Sequence, residues 1–139
     1  MAKIEGSHLR KNLARPPCEL AVLAAIAMHE QRADDILVLD LRGLVDYTDF
    51  FVIGSADSLA RLRGIFRRVD LAMREGGGNR LNRADKETGW LLADFGEVLI
   101  HLFERRARDF YRLEELWGDA PRIEWREGPA GRKGTNWPG

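Results

Sequence analysis

Gly54-Ser55 and the aspartates on either side of it are the residues of this chain best suited to chemistry. The pair lies between an apolar run and a helical period, where backbone N–H groups at a helix start could hold a phosphate. Asp40, Asp46, Asp49, Asp57 and Asp94 could supply a carboxylate pair for a divalent cation. Such a constellation suits nucleotidyl transfer, with Gly54, Ser55, Asp46 and Asp49 as its site. The supporting motifs are missing. No Gly-x-x-x-x-Gly-Lys-Ser/Thr loop occurs, no Gly-x-Gly-x-x-Gly follows a strand, and no carboxylate pair follows Gly54-Ser55 at a defined spacing. Gly76-Gly77-Gly78 comes after a helix, where a cap explains it, and strand ends and helix caps account for the aspartates.

The other reactive side chains are sparse. His8, His29 and His101 lie far apart with no partner at ligand spacing, so no metal site is expected. His101, inside an apolar strand, reads as a hydrogen-bonded core or interface residue. No Gly-x-Ser-x-Gly elbow or Ser/His/Asp spacing marks a nucleophile. The residues therefore mark no defined active site and suggest no cofactor, and the nucleotide-handling reading stays open.

A length of 139 residues fits one domain with tails: a leader over 1–17, a domain over 18–121 and a flexible tail over 122–139. Charged residues make up 32% and balance to zero, which argues against a surface built wholly for nucleic acid or anionic membrane. The single Cys18 excludes an internal disulfide and fits a reducing compartment. The N-terminus lacks a secretory pattern, and the apolar runs fall well short of the roughly 20 residues that span a bilayer. The expected location is cytoplasmic.

These residues need a frame. Pro16-Pro17 opens an alanine-rich helix over 19–29, with Leu20, Leu23, Ala24, Ala27 and Met28 on one face. Ile36 to Leu41 and Phe50 to Ser55 read as buried strands. Asp57 or Ser58 caps the next helix, whose apolar set Leu59, Leu62, Phe66, Val69 and Met73 leaves Arg61, Arg63, Arg67, Arg68 and Arg74 on a solvated, cationic face. Asn79 to Arg83 reads as a short edge strand. A helix over 105–116 carries Phe110, Leu113 and Leu116 on one side. Beyond Gly118 glycine and proline break any period; Trp117 belongs to the core or an interface, whereas Trp125 and Trp137 read as passengers of a disordered tail. The result is an α/β domain with a mixed sheet of about five strands.

The clearest pairing is a hairpin from Gly89 to Phe103. With Phe95-Gly96 at the turn, Asp94 faces Glu97, Leu92 faces Leu99 and Trp90 faces His101. Those residues and Phe103 share one face of the sheet; Leu91, Ala93, Val98, Ile100 and Leu102 share the other. Both faces are apolar, so helices must cover one, and the other is covered by further helices or by another protein.

Four ordered motifs resemble those of the ribosomal silencing factor family, also called Iojap: Asp40-Leu41-Arg42-Gly43, Tyr47-Thr48-Asp49-Phe50-Phe51-Val52-Ile53 with Ser55 and Ser58, the hairpin Gly89 to Phe103, and Arg108-Asp109-Phe110-Tyr111-Arg112-Leu113-Glu114-Glu115-Leu116-Trp117. The resemblance runs from about Leu20 to Pro121. It implies a nucleotidyltransferase-like fold without catalysis, which binds the large ribosomal subunit through ribosomal protein L-fourteen and blocks small-subunit joining. It also implies a contact set: Trp90, Asp94, His101 and Phe103 on the hairpin, with Tyr111, Leu113, Leu116 and Trp117 touching the partner or supporting that surface. Arg105, Arg106 and Arg108 would reach protein or ribosomal RNA. The leader and the glycine-rich tail depart from the family outline, and Leu92-Ala93 is smaller than its usual aliphatic pair. Two other readings stand beside this one: the nucleotide-handling enzyme, and a homodimer that uses the apolar hairpin face when the protein is free.

Overall fold

Proline fixes the backbone angle of a first helical turn and alanine loses no side-chain entropy in a helix, so α1 forms over Pro17–Glu30 with Pro16 as its N-cap residue. The computed structural model describes residues 15–82, 89–107 and 118–127. In it α1 is followed by β1 (Asp34–Asp40), β2 (Phe50–Ala56), α2 (Leu59–Glu75), β3 (Trp90–Asp94) and β4 (Val98–Glu104). Residues 105–107 are helical; the remainder of the helix expected over 105–116 lies outside the described residues.

The sheet is mixed, as expected, with order β1-β2-β4-β3; it has four strands among the described residues, where about five were expected. β1 and β3 run antiparallel to their neighbours and β2 runs parallel to β4. The missing strand is the one expected at Asn79 to Arg83. Residues 79–82 are irregular, and a side chain takes over the pairing. Asn82 donates its amide to Leu92 O and accepts from Asp94 N–H, both at 2.8 Å, while Leu81 N–H reaches Asp94 O at 2.7 Å. One carboxamide thus presents a donor and an acceptor as a peptide unit of a strand would.

α1 and α2 lie on one face of the sheet. Ala24, Met28, Leu62, Ile65, Val69 and Met73 pack there against Val38, Val52, Leu91, Ala93, Val98, Ile100 and Leu102. α1 is buried beyond the expected stripe, since Cys18, Ala21, Val22 and Ala25 are inside too; small side chains let it lie close to both the sheet and α2. α2 begins at Ser58, whose hydroxyl accepts from Arg61 N–H at 3.2 Å, and its end passes into Gly77 at φ +94°. Its arginine face is largely tied down: Arg61 donates to the carbonyls of Gln31 and Arg32, and Arg74 pairs with Asp70.

Two expectations at the sheet ends are corrected. β1 is an edge strand with Ile36 and Leu37 only partly covered, rather than one buried on both faces; its outer side is closed by the segment after Ala120. Asp40 N–H donates to Pro121 O at 2.8 Å and Ile123 N–H to Val38 O at 2.9 Å. This fixes Trp125 in the core, 4% exposed and 5.5 Å from the His29 ring, so it is no passenger of a disordered tail. An indole can offset the ordering cost of a short segment that has no periodic pattern of its own.

Candidate functional site

The face of the sheet away from the helices carries the hairpin residues expected to do the work. The hairpin register differs from expectation by one turn position. Phe95 N–H closes the turn on Val98 O, leaving Gly96 and Glu97 as its central residues, and the pairs are Trp90 with Phe103, Leu92 with His101 and Asp94 with Leu99. Gly96 has φ +81°, which glycine takes without penalty, and its N–H is held by Asp94 Oδ1 at 2.8 Å. Moving the turn by one residue leaves every side chain on its expected face.

On that face Trp90, His101 and Phe103 form a stack. The Trp90 ring lies 5.8 Å from His101 at 25° and 5.4 Å from Phe103 at 23°, and Phe51 meets His101 edge-on at 4.4 Å. Trp90 is half-buried, Phe103 fully buried, and His101 4% exposed. The Trp90 Nε1–H donates to His101 Nδ1 at 3.1 Å. Nδ1 therefore carries no proton, and the neutral ring holds its hydrogen on Nε2. Burial pushes the His101 pKa down to about 4, so this tautomer persists at neutral pH. Nε2 is buried and finds no hydrogen-bond partner among the described residues.

Asp94 is half-buried, and its carboxylate is engaged in the turn. Leu99 and Leu92 complete the patch as half-buried neighbours. Below them Leu39, Leu41, Phe51, Ile53 and Ala120 form a second small core with Phe103. The motif Asp40-Leu41-Arg42-Gly43 acts beside it: Asp40 receives Arg42 Nε and Nη2 at 3.0 Å each, and the guanidinium lies 5.3 Å from the Phe50 ring centre. Gly43 turns the chain at φ +82°.

The nucleotide site does not assemble. Gly54 and Ser55 lie inside β2, not in a strand-to-helix loop, and the Ser55 hydroxyl donates to Asp34 O at 3.2 Å. Asp49 stands just before β2, roughly 16 Å from Gly54 along an extended strand. Among the described residues no three metal-ligating side chains gather. An open cavity of about 430 Å³ does sit at the carboxyl ends of β2 and β4, lined by Asp57, Glu104, Arg105 and Arg106. Its Arg105 is bound by Asp34 and Asp57, and those acids raise its pKa. Of the other expected contact residues, Arg106 is exposed, while Arg108, Tyr111, Leu113, Leu116 and Trp117 lie outside the described residues. Asn82 and Arg42 support the site without having been singled out for it; a lone Asn carries no spacing signal, and Arg42 was visible only within its motif.

Comparison with known proteins decides the family. The model for "Ribosomal silencing factor during starvation" matches residues 14–138. The chain belongs to the ribosomal silencing factor family. It is 38% identical over 100 residues to the ribosomal silencing factor of Bacillus subtilis, covering 71% of this chain and 85% of that one. The chloroplastic Iojap protein of Zea mays is 40% identical over 108 residues, 75% of this chain and 46% of that longer protein. A crystal structure from Chromobacterium violaceum superposes with a TM-score of 0.71 at 26% identity, covering 84% of this chain and 97% of that one. The family is named for regulation, not catalysis. No helix among the described residues is long and apolar enough to cross a membrane.

Proposed function

We propose that this chain silences ribosomes: it binds the large ribosomal subunit through ribosomal protein L-fourteen and occupies surface that the small subunit needs, so that the two cannot join. The observation that carries this reading is the family match over residues 14–138. Relatives named ribosomal silencing factor from two bacilli, and a mouse relative named for mitochondrial assembly of the ribosomal large subunit, support it. On this reading the domain is a nucleotidyltransferase relative that keeps the framework and not the chemistry, because steric blocking needs no reacting group.

The aromatic face suits a protein partner. Trp90 is a half-buried aromatic on a rigid strand pair, the kind of residue that anchors interfaces. Both outer strands are already engaged, β3 by Leu81 and Asn82 and β1 by residues 121–123, so the surface on offer is a face rather than an edge. Trp90 and Asp94 form the near part of the contact and His101 and Phe103 underlie it; the family resemblance adds Arg108 to the contact set, with Tyr111, Leu113, Leu116 and Trp117 touching the partner or supporting the surface.

The test is joining of purified subunits in the presence of the protein, with co-sedimentation on free large subunits. Trp90→Ala should stay folded and bind weaker by about 30-fold or more, an anchor's worth of about 2 kcal/mol. Unimpaired joining at saturating protein would end the proposal. Unchanged binding by the variant would remove Trp90 from the contact.

A further inference from the structure

We propose that the outward face of α2 is a docking site for an RNA phosphate backbone, seated over Gly64 with Arg61, Arg67 and Arg68 around it.

The charge is local. The chain as a whole is neutral, yet α2 holds five arginines against two acids, Asp70 and Glu75, and Asp70 is taken by Arg74 and Arg80. Arg67 is exposed and makes no ion pair or hydrogen bond among the described residues. Arg61 is fixed by the carbonyls of Gln31 and Arg32 at 3.0 Å each; those acceptors are neutral, so its positive charge stays on the surface. Arg68 meets Glu30 at 3.9 Å with both side chains well exposed, a pairing that binds weakly and yields to a stronger anion.

Gly64 is the second observation. It stands inside a 17-residue helix, where glycine weakens the element relative to alanine, and a Cβ there would meet no atom of the described residues within 4 Å. Packing gives no reason for it, unlike Gly54 and Gly76, where a Cβ would come within 2.8 and 2.9 Å of a buried neighbour's side chain. Gly64 is three residues from Arg61 and from Arg67 and four from Arg68, the spacings that make neighbours on a helix surface. The result is a floor without a side chain among three guanidinium groups. A phosphodiester needs close approach and positive charge, and both are present.

The choice of RNA among polyanions rests on the chain's membership of a ribosomal family. The apolar side of α2 is spent on the core, and Leu71 is too little exposed hydrocarbon to enter a bilayer. The one aromatic of α2, Phe66, lies under Arg80 at 5.1 Å, so bases find no stacking platform and the contact is with phosphates, indifferent to sequence. Because α2 lies on the opposite side of the sheet from Trp90, RNA and the protein partner proposed above can be held together.

The test is fluorescence anisotropy of a labelled oligouridylate with the full chain, repeated across a salt series. The parent should bind, more weakly as salt rises. Arg67→Gln should weaken binding about 3- to 10-fold and lower the slope of log Kd on log salt by about 0.7. Arg122→Gln removes an equal charge from the exposed segment beside β1 and should change binding by less than about 2-fold. Gly64→Leu alters no charge and fills the seat: binding should fall about 3- to 10-fold while the melting temperature stays or rises. Gly64→Gln replaces the leucine variant if that one does not stay soluble.

Absence of oligouridylate binding at low salt overturns the proposal. Equal losses in Arg67→Gln and Arg122→Gln overturn it as well, since binding would then be a general attraction, and so does full binding by Gly64→Leu. Uptake of the protein by anionic phospholipid vesicles without RNA binding would put a membrane in the place of RNA. Joining of purified subunits is read separately: failure to block it ends the silencing mechanism proposed above, while RNA binding that depends on Arg67 and Gly64 still stands.

Discussion

Met28 Sδ occupies the space into which a side chain at Gly54 would grow: a Cβ there would come within 2.8 Å of it. Met28 is fully buried, so the thioether has little room to move aside. The glycine that looked like a phosphate-binding residue is a packing device for α1 against β2. Gly54→Ala should therefore destabilise the fold by about 1 to 3 kcal/mol through overpacking. In a Met28→Ala background the same change should be close to neutral, because the cavity accepts the methyl group. Denaturant unfolding of the four proteins checks this; equal costs in both backgrounds would show that the contact does not govern Gly54.

The Asn82 carboxamide closes the outer side of β3, with both of its hydrogen bonds at 2.8 Å. Asn82→Ala leaves Leu92 O and Asp94 N–H without that partner and should cost about 1 to 3 kcal/mol. Asn82→Asp keeps the acceptor for Asp94 N–H but sets an oxygen against Leu92 O, so it should be at least as damaging. Amide exchange at Asp94 reads the effect locally: it should quicken in the alanine variant, and an unchanged rate would show that the side chain does not close the edge.

What could be read without coordinates follows the reach of each interaction. Elements whose signal is periodic and local were legible: α2 from its three-and-four spacing, its cap at Ser58, the mixed sheet, and the division of hairpin residues between two faces. The faces survived an error in the turn because moving the turn centre by one residue changes partners but not sides. What was not legible depends on single side chains acting at a distance. Nothing near Asn82 says that it will pair with a strand ten residues on, and nothing near Trp125 says that α1 will receive it. Gly54 misled for the same reason, since the atom that requires a glycine there belongs to Met28. Trp90 and His101 were expected directly opposite each other; they are diagonal across the hairpin, still on one face, and the hydrogen bond between them carries no signal in the sequence.

Trp125 ties the segment after Ala120 to α1, packed on His29 with Arg126 over its ring at 4.8 Å. Removing a buried indole should cost about 3 to 5 kcal/mol. A flexible tail would give a much smaller effect. Trp125→Ala should lower the melting temperature by roughly 10 °C or more, and should speed amide exchange at Ile123 and Asp40, whose N–H groups make the bonds between this segment and β1. A variant that melts with the parent protein would place the indole outside the core.

His101 sets a pH limit on the fold. Its folded pKa is about 4, lowered by burial from 6.5. In the unfolded chain the imidazole takes a proton as pH falls through about 6.5, whereas in the folded protein it stays neutral down to about 4. The unfolded state thus binds more protons across that window. The titration of the histidine costs nothing above about pH 6.5, and stability declines progressively between about pH 6.5 and 4 by about 3 kcal/mol in all. Protonation would also take Nδ1 away as an acceptor, so Trp90 should lose its inward bond near the bottom of the same window. Urea unfolding at half-unit steps from pH 7.5 to 4, run in parallel on His101→Leu, isolates this group from the carboxylates. The parent should lose stability faster than the variant between pH 6.5 and 4, and parallel curves would mean that His101 titrates in the folded protein as it does in the unfolded chain.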